Sequence, residues 1–265
     1  MRYLVAALGM LAAYHASNAL AMQTGPGITV SVSGMVAEPG LLAYPAKTRL
    51  SAVALAGRVD PDAYMLGAAW LRPSLRAEQA RLRAGVVFEL GAIRTKALAS
   101  GNDILGRDAQ RLQALLASLP ITGRRVATVL DPYRLEVAPE DDWTVADGDA
   151  LYYPPRAEGI RVLGAVESPC HLPLQPLEDA RHYLKLCRPS KAADQNRIFV
   201  VQPDGAVYEQ NIAAWNRDSP RILAPGSWIY VPLDQRTIAG SADAAFNREI
   251  ADFLATQLLN AEGWH

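Results

Sequence analysis

The sequence predicts an α+β fold built from two tandem copies of one small β-rich module. The pattern V-x-G-x-V-x-x-P occurs twice, at residues 32–39 and 162–169. A glycine turn followed by an alternating strand and a proline also occurs twice, at residues 148–154 and 226–232. Because internal similarity in a fixed order is the signature of repeated structural units, we interpret the chain as a duplication.

Each opening motif is expected to form a hairpin that is followed by a short helix. Alternating apolar positions before a proline-marked turn are typical of a strand entering a hairpin. The first helix is predicted at residues 50–56, where Gly57 ends it, and the second at residues 177–186. In the second copy, strand signals flank a tight turn at residues 203–205. This order of hairpin, helix and further strands is that of the β-grasp fold.

The first copy carries an insertion. The opening motifs are 130 residues apart (Gly34 to Gly164), but the closing motifs are only 78 apart (Gly148 to Gly226), so the first copy holds 52 additional residues. They fall in a basic stretch at about residues 74–120, where leucines recur at helical spacing on both sides of a Gly-Asn-Asp break. We expect a helical hairpin whose apolar face packs against the second copy.

The two ends of the chain predict an exported protein with a C-terminal helix. Residues 1–21 have a positive start, an apolar run and a small-x-small ending, which is typical of a cleaved signal peptide. A buried first helix is the alternative. The apolar stripe along residues 241–260 predicts an amphipathic helix, which either docks on the modules or lies on a membrane surface or partner. The predicted organisation is therefore a signal peptide at 1–21, a first domain at 22–157, a second domain at 158–236 and a C-terminal amphipathic helix at 237–265.

The chain has two cysteines, Cys170 and Cys187. In an oxidising compartment a sparse, even cysteine count favours a disulfide, and two free buried thiols are the alternative. When the two copies are aligned, the cysteines fall on Gly40 and Gly57 of the first copy. A disulfide would therefore tie the helix of the second copy to its hairpin.

Catalytic and metal-binding motifs are sparse. The sequence contains no H-E-x-x-H, G-x-S-x-G, Walker or G-x-G-x-x-G pattern, and only His171 and His182 lie near a cysteine. The acidic run at residues 140–142 is interpreted as a solvated turn. We predict no catalytic residue, no metal and no cofactor. A net charge of −1 also argues against a nucleic-acid partner.

Two pairs of residues are candidates for binding. Arg124, with Arg125 beside it, follows the helical insertion at a Gly turn, and an arginine there can present five donors to a carboxylate, a phosphate or sugar hydroxyls. The alternative is that Arg124 bonds carbonyl groups at the junction. Trp215 and Asn216 could stack on a sugar ring and bond its hydroxyls, whereas core packing is the alternative use of the tryptophan.

These residues resemble the capsule biosynthesis GfcC family of Gram-negative bacteria. The resemblance extends over nearly all of the chain after residue 21, and its order and spacing are the specific part. The segments that carry it are Ile121-Thr122-Gly123-Arg124, Leu130-Asp131-Pro132, Leu163-Gly164-Ala165-Val166, Trp215-Asn216 and the C-terminal amphipathic helix. The opening motif is also similar to the soluble ligand-binding β-grasp (SLBB) modules of outer-membrane polysaccharide export proteins.

The resemblance implies a non-catalytic periplasmic protein that takes part in the assembly and export of capsular polysaccharide or exopolysaccharide. It implies tandem β-grasp domains, with Arg124 lining a central pocket. The expected partner is capsular polysaccharide or an outer-membrane polysaccharide export protein, and membrane contact is expected only through the C-terminal helix. A polysaccharide-modifying hydrolase or lyase and a purely structural adaptor for an outer-membrane pore are the alternatives.

Overall fold

The computed structural model describes residues 27–259. The predicted signal peptide and the last residues of the chain lie outside the described residues. Two five-stranded sheets form the frame. The strands of the first are β1 (Ile28–Gly34), β2 (Gly40–Tyr44), β3 (Ala69–Leu71), β4 (Arg124–Arg125) and β5 (Ala150–Tyr153). Those of the second are β6 (Gly159–Gly164), β7 (Cys170–Pro173), β8 (Arg197–Val201), β9 (Val207–Asn211) and β10 (Trp228–Val231).

The two sheets have the same strand order. In each, the second strand of the unit lies at one edge, followed by the first, fifth, third and fourth. The first and fifth strands run parallel, and the other neighbours are antiparallel. A short helix follows the opening hairpin of each unit, α1 (Leu50–Gly57) in the first and α5 (Ala180–Leu186) in the second. The predicted α+β class is confirmed.

The long helices lie between β3 and β4 of the first unit. They are α2 (Arg76–Ala99) and α3 (Asp103–Ser118), separated by Gly101 in the left-handed conformation and by Asn102, whose side chain caps α3. In the second unit, the same connection is the tight turn at residues 202–206. The remaining helices are α4 (Pro132–Val137), α6 (Gln235–Ile238) and α7 (Phe246–Ala255), with single 3-10 turns at Met65–Gly67 and Pro73–Leu75.

The glycine of the opening motif is required by close backbone contact in both units. Gly34 and Gly164 have φ angles of 90° and 102°, which disfavour any residue with a side chain. A Cβ atom at Gly34 would lie 2.0 Å from the carbonyl oxygen of Tyr153, and one at Gly164 would lie 2.2 Å from that of Val231. The repeated motif therefore marks the place where the first strand of each unit leaves its parallel neighbour.

The disulfide between Cys170 and Cys187 is present. Cys170 is the first residue of β7, and Cys187 is the residue that follows α5. The bond therefore joins the hairpin of the second unit to the end of its helix, as the alignment of the copies predicts. At the equivalent places in the first unit, Gly40 begins β2 and Gly57 ends α1.

The predicted start of α5 at residue 177 is wrong. The helix begins at Ala180 because the Asp179 side chain accepts a hydrogen bond from the amide of Arg181, at 3.0 Å, and so acts as the N-cap. Leu177 has a φ of 66° and is outside the helix. In α1, similarly, Arg58 rather than Gly57 takes the left-handed conformation after the helix.

The first unit has one apolar core, between α1 and the inner face of its sheet. Its strands contribute Val30, Val32, Trp70, Leu151 and Tyr153. The helix contributes Leu50, Val53 and Ala54, and α4 adds Leu135. Alternate residues of the same strands point to the other, outer face, where Thr29, Ser31 and Ser33 are polar and partly or fully exposed.

The second unit is packed on both faces of its sheet. Val162, Val200 and Ile229 lie on the side of α5, while Phe199 and Tyr230 lie on the outer face. That outer face is covered by α7 and by the inserted helices. Their buried residues belong to the same cluster as the sheet, and include Val86, Leu90 and Ile93 of α2, Leu112 and Leu116 of α3, and Phe246, Ile250 and Phe253 of α7.

Polar contacts also fasten the insertion to the second unit. Arg111 of α3 donates hydrogen bonds to the carbonyl oxygens of Val166 and Glu167, the latter at 3.2 Å. The hydroxyl of Ser190 donates to the carboxylate of Asp108 on the same helix. The expectation that the insertion packs against the second copy is therefore confirmed.

The C-terminal helix α7 docks on the second sheet. The hydroxyl of Tyr230 donates to the side-chain oxygen of Asn247 at 2.9 Å, and Phe246, Ile250 and Phe253 are fully buried. Of the two placements predicted for this helix, docking on the modules is the one that the described residues show. Over residues 27–259, no helix has the length and apolar character needed to cross a bilayer.

Candidate functional site at the junction of the two units

Arg124 lies on β4, at the point where the helical insertion rejoins the first sheet. Its side chain is on the outer face and is only 3% exposed. The guanidinium donates to the carbonyl oxygens of Gln257 at 2.8 Å and Ala255 at 3.4 Å. It also donates to the carbonyl of Ala68 at 3.5 Å and to that of Pro203.

The four carbonyl groups come from three separate parts of the chain. Ala68 precedes β3 of the first unit, Pro203 lies in the β8–β9 turn of the second, and residues 255 and 257 form the C-terminal segment. A backbone hydrogen bond from Ala127 to the carbonyl of Asp204, at 2.8 Å, runs beside them. These contacts match the alternative in which Arg124 bonds carbonyl groups at the junction. Its planar fork suits several acceptors at once.

The other residues of the Ile-Thr-Gly-Arg segment are fixed in the same way. The hydroxyl of Thr122 donates to the carbonyl of Thr256 at 2.7 Å and accepts from the amide of Arg124 at 2.9 Å. The Gln79 side chain of α2 accepts from the amide of Gly123 at 2.8 Å and donates to the carbonyl of Arg124 at 2.9 Å. The segment therefore connects α2, β4 and the C-terminal segment through buried hydrogen bonds.

Burial lowers the pKa of Arg124 to about 10, an effect that the nearby carboxylate of Asp204 partly opposes. The guanidinium remains charged at neutral pH, and its charge is stabilised by the carbonyl dipoles around it. Within the described residues, its Nε atom is buried and has no hydrogen-bond partner. The arrangement thus holds the two units and the C-terminal segment in one fixed relation.

A cleft of about 550 Å³ lies beside this junction. It is lined by Arg124 and Arg125 of β4, by α2, by the β8–β9 turn and by α7. Arg248 and Asp252 of α7 form an ion pair across 2.8 Å at its edge. The donors of Arg124 point to backbone carbonyls, and the remaining charges are of both signs, so the cleft is not a strongly basic pocket.

Arg125 points to the opposite face of β4 from Arg124. Its guanidinium carbon lies 4.4 Å from the ring centroid of Trp143 and 5.7 Å from that of Trp70. The indole of Trp70 is fully buried and donates to the carboxylate of Asp149 at 2.9 Å. Sequence reasoning gave Trp70 no role, because its partner Asp149 is 79 residues away in the sequence.

Trp215 and Asn216 lie in the loop after β9, apart from the junction. Trp215 is 79% exposed, so the alternative of core packing is wrong. The amide nitrogen of Asn216 donates to the side chain of Asn211 at 3.2 Å. Among the described residues, neither Trp215 nor Asn216 accepts a hydrogen bond from Arg124 or lines the cleft of about 550 Å³ beside it. The structure therefore does not bring the four predicted residues together at that cleft.

The acidic run at residues 140–142 is not simply a solvated turn. Asp142 is 8% exposed, and its carboxylate accepts from the amide of Ser51 at 2.9 Å and from its hydroxyl at 2.8 Å. The carboxylate therefore fixes the start of α1, near the helix N-terminus where negative charge is favoured. Across residues 27–259, no group of three or more histidine, cysteine or carboxylate side chains is placed to hold a metal ion.

The fold and its junction define a protein of two similar α+β units that buried hydrogen bonds fix to each other. Residues 168–259 match the family described as capsule biosynthesis GfcC C-terminal. The resemblance to the GfcC family is therefore confirmed over residues 168–259, from just before β7 to the residues after α7. Trp215 and Asn216 lie inside the matched region, and Arg124 and Arg125 lie before it.

The chain is also similar to a protein of Escherichia coli. Over 170 residues the chain is 28% identical to the uncharacterized protein YjbG of Escherichia coli (strain K12). The alignment covers 63% of this chain and 68% of that protein. The similarity thus extends well beyond the segment that matches the family.

Proposed function

We propose that this protein is a non-catalytic periplasmic factor for the assembly and export of capsular polysaccharide or exopolysaccharide, which binds the glycan or the outer-membrane export machinery. The match of residues 168–259 to the GfcC capsule biosynthesis family carries the proposal.

We assign both units to the β-grasp type, with domains at residues 22–157 and 158–236 and a C-terminal helical segment at 237–265. The common strand order and the helix after each opening hairpin support the assignment. In this scheme Arg124 acts by holding the junction rather than by touching the ligand, because its donors are directed to carbonyl groups. The exposed Trp215, with Asn216 beside it, is a proposed contact for sugar.

The periplasm is the proposed location. An intramolecular disulfide is typical of proteins in an oxidising compartment outside the cytoplasm. The predicted signal peptide at residues 1–21 would direct export, and a capsule-related family fits the same compartment.

Deleting the gene and restoring it on a plasmid tests the proposal. We expect the deletion strain to make the polysaccharide but to display less of it at the surface, with display restored by the wild-type gene. Surface and total polysaccharide are measured separately by antibody or lectin binding before and after cell lysis. Unchanged surface display in the deletion strain would contradict the proposal.

A second experiment separates a binding protein from a hydrolase or lyase. Purified protein is incubated with the polysaccharide of its own strain, and polymer size is followed by size-exclusion chromatography. We expect no change with time. A progressive fall in polymer size would show an enzyme and would contradict the proposal.

A further inference from the structure

The inserted helix α3 covers the turn that follows the opening strand of the second unit. Arg111 of that helix donates to the carbonyl oxygens of Val166 and Glu167. Three residues earlier, Asp108 accepts a hydrogen bond from the hydroxyl of Ser190. Asp108 also accepts from Arg111 at 2.8 Å, so the two side chains act as one polar group. The helix thus docks with an arginine on carbonyl groups and with a carboxylate on a hydroxyl.

The first unit repeats this turn with the same internal hydrogen bonds. The amide of Asp60 donates to the carbonyl oxygen of Met35 at 3.0 Å. Ser190 and Ala165 form the same bond in the second unit, at 2.9 Å. Asp60 is therefore the counterpart of Ser190, and the two residues after Met35 are the counterparts of the two whose carbonyl groups Arg111 binds.

The turn is more open in the first unit than in the second. Val36 is partly exposed, whereas its counterpart Val166 is fully buried. Gly34 is exposed, whereas Gly164 is buried. Among the described residues, the carbonyl oxygens of Val36 and Ala37 accept no hydrogen bond. The acceptors that α3 uses on the second unit are thus repeated on the first and left open there.

A cleft of about 450 Å³ lies at this turn of the first unit. Its lining includes Val36, Ala37 and Asp60, the counterparts of the three residues that the polar group of α3 contacts. Leu55 at the end of α1 and Tyr133 of α4 add apolar surface and are 43% and 77% exposed. Carbonyl acceptors beside exposed apolar side chains suit an amphipathic helix that carries an arginine.

The two turns differ in charge at one position of this contact. Asp60 places a carboxylate where Ser190 has a hydroxyl, so a helix with an aspartate at the position of Asp108 would be repelled. Arg58 also lines the cleft, but it forms an ion pair with Glu38 at 3.5 Å, and the second unit has an arginine at the equivalent place. The first turn therefore disfavours the chain's own α3 and favours a basic residue instead.

We propose that this cleft binds a helix of a partner protein that carries two basic residues three positions apart. The second of them, an arginine, binds the carbonyl oxygens of Val36 and Ala37 as Arg111 binds their counterparts. The first, a lysine or an arginine, pairs with Asp60, and apolar residues on the same face of the helix contact Tyr133. The inference goes beyond the proposed function, since the duplication alone carries it.

A stapled peptide with the sequence of α3, residues 103–118, and the change Asp108→Lys is the probe. Its binding to the full chain is measured by fluorescence anisotropy. We expect the same peptide with Asp108 retained to bind at least about tenfold more weakly, because its aspartate then faces Asp60. Equal binding of the two peptides, or no saturable binding of the lysine peptide up to about 1 mM, would overturn the inference.

Asp60→Ser gives the first turn the hydroxyl of the second. The lysine peptide should then bind at least about tenfold more weakly, and the aspartate peptide more tightly than to the wild type. The turn tolerates serine, since the hydroxyl of Ser190 accepts from the amide of Ala192 at 3.1 Å. In the first unit the carboxylate of Asp60 accepts from the amide of Asp62 at 2.8 Å in the same way.

Asp62→Ser is the matched control. It removes the same charge from an exposed position outside the cleft lining, so both affinities should change by less than about twofold. A loss of lysine-peptide binding as large for Asp62→Ser as for Asp60→Ser would show general attraction between charges, and the assignment to the cleft would fail.

Tyr133→Ala tests the apolar wall and should weaken binding of the lysine peptide by about threefold, whereas Phe88→Ala, at an equally exposed position of α2, should not. Sedimentation of the full chain tests the other occupant, and we expect a monomer. A dimer that Tyr133→Ala dissociates and Phe88→Ala does not would show that a second copy fills the cleft, against the inference. None of these measurements depends on polysaccharide display, so the inference and the proposed function can fail separately.

Discussion

The two units share a strand order but differ in what covers the outer face of the sheet. In the first sheet, that face carries Ser33, which is exposed, Tyr152, which is half-buried, and Ala69, which is buried. The equivalent residues of the second are Leu163, Phe199 and Tyr230, all buried. The inserted helices connect two strands of the first sheet, but they pack against the outer face of the second. One scaffold is thus completed as two layers in one unit and as three in the other, and the outer-face residues differ accordingly.

This difference makes the second unit dependent on the first. In the sequence, α2 and α3 belong to the first unit, but the surface that their apolar residues bury belongs to the second. Since packing provides most of the stability of helices in proteins, the insertion and the second sheet are expected to stabilise each other. The predictions that follow test this dependence and are given in order of decreasing effect on stability.

The largest effect is expected for Leu116→Ala in α3. Leu116 is fully buried in the cluster that joins the insertion to the second sheet, and such a change costs about 2–5 kcal/mol through lost burial and a cavity. Unfolding in urea measures the loss. Hydrogen exchange should show faster exchange in β8 and β10 of the second unit.

Phe88→Ala in α2 is the matched control, because Phe88 is 78% exposed and should change stability by less than about 0.5 kcal/mol. Faster exchange in β1 and β5 with β10 unaffected, on replacing Leu116, would mean that the insertion supports its own unit instead.

Removing the disulfide should weaken the second unit without changing the first. Replacing Cys170 and Cys187 by serine opens a 17-residue loop, and restricting a loop of that length in the unfolded chain contributes about 3 kcal/mol. The free energy of unfolding of the double variant measures the effect, and reduction of the wild-type protein should reproduce it. Equal stability with and without the bond would show that packing against the inner face of the second sheet already fixes α5.

Arg124→Ala should lower the free energy of unfolding by about 2 kcal/mol, because carbonyl groups in a buried junction lose a charged donor. Arg124→Lys should recover part of the loss, since lysine has a charge but no planar fork. Arg125→Ala is the neighbouring control, with an expected cost of about 0.5–1 kcal/mol from its aromatic contacts. A loss for Arg125→Ala as large as that for Arg124→Ala would argue against the junction clamp.

The smallest effect concerns two tyrosines at equivalent positions. Burial raises the pKa of both, but Tyr230 is fully buried and Tyr152 is only half-buried. A raised pKa in the folded state contributes stability that is complete below the unfolded pKa of about 10 and is lost as pH rises above it. Tyr230→Phe should cost about 1 kcal/mol near neutral pH, where Asn247 loses a donor, and should reduce the loss of stability at about pH 11.

Tyr152→Phe should have a smaller effect both on the free energy of unfolding near neutral pH and on its loss at about pH 11. The reason is that the hydroxyl of Tyr152 makes only a 3.4 Å contact with the carbonyl of Leu259. Unfolding free energies measured at the two pH values provide the comparison. If the free energy of unfolding falls by the same amount at about pH 11 in the wild type and in Tyr230→Phe, the fall is not due to ionisation of Tyr230.

Much of the duplication is predictable from the sequence because it depends on local rules. Gly34 and Gly164 repeat since only glycine fits beside the parallel strand, and the unequal spacing of the motifs locates the insertion. The alignment of Cys170 with Gly40 and of Cys187 with Gly57 places the disulfide at the ends of β7 and α5.

The rest depends on contacts between distant segments. Trp215 is exposed and Asp142 is buried because of the segments that do or do not pack against them. The spacing of residues in the sequence carries no information about those contacts. The early start predicted for α5 came from acidic residues that suit a first turn, whereas the side chain of Asp179 caps the helix instead. The carbonyl acceptors of Arg124 come from residues as far away in sequence as Gln257, so its role could be stated only as two alternatives.

The insertion also affects the order in which the chain becomes able to fold. Synthesis proceeds from the N-terminus, so α2 and α3 exist before β8, β10 and α7, which bury their apolar faces. Until those later segments have been synthesised, the leucines of both helices form an exposed apolar surface that favours aggregation with other chains. Burial of the apolar faces of α2 and α3 is therefore completed only after nearly all of the chain has been made, whereas the core of the first unit needs no residue beyond Tyr153.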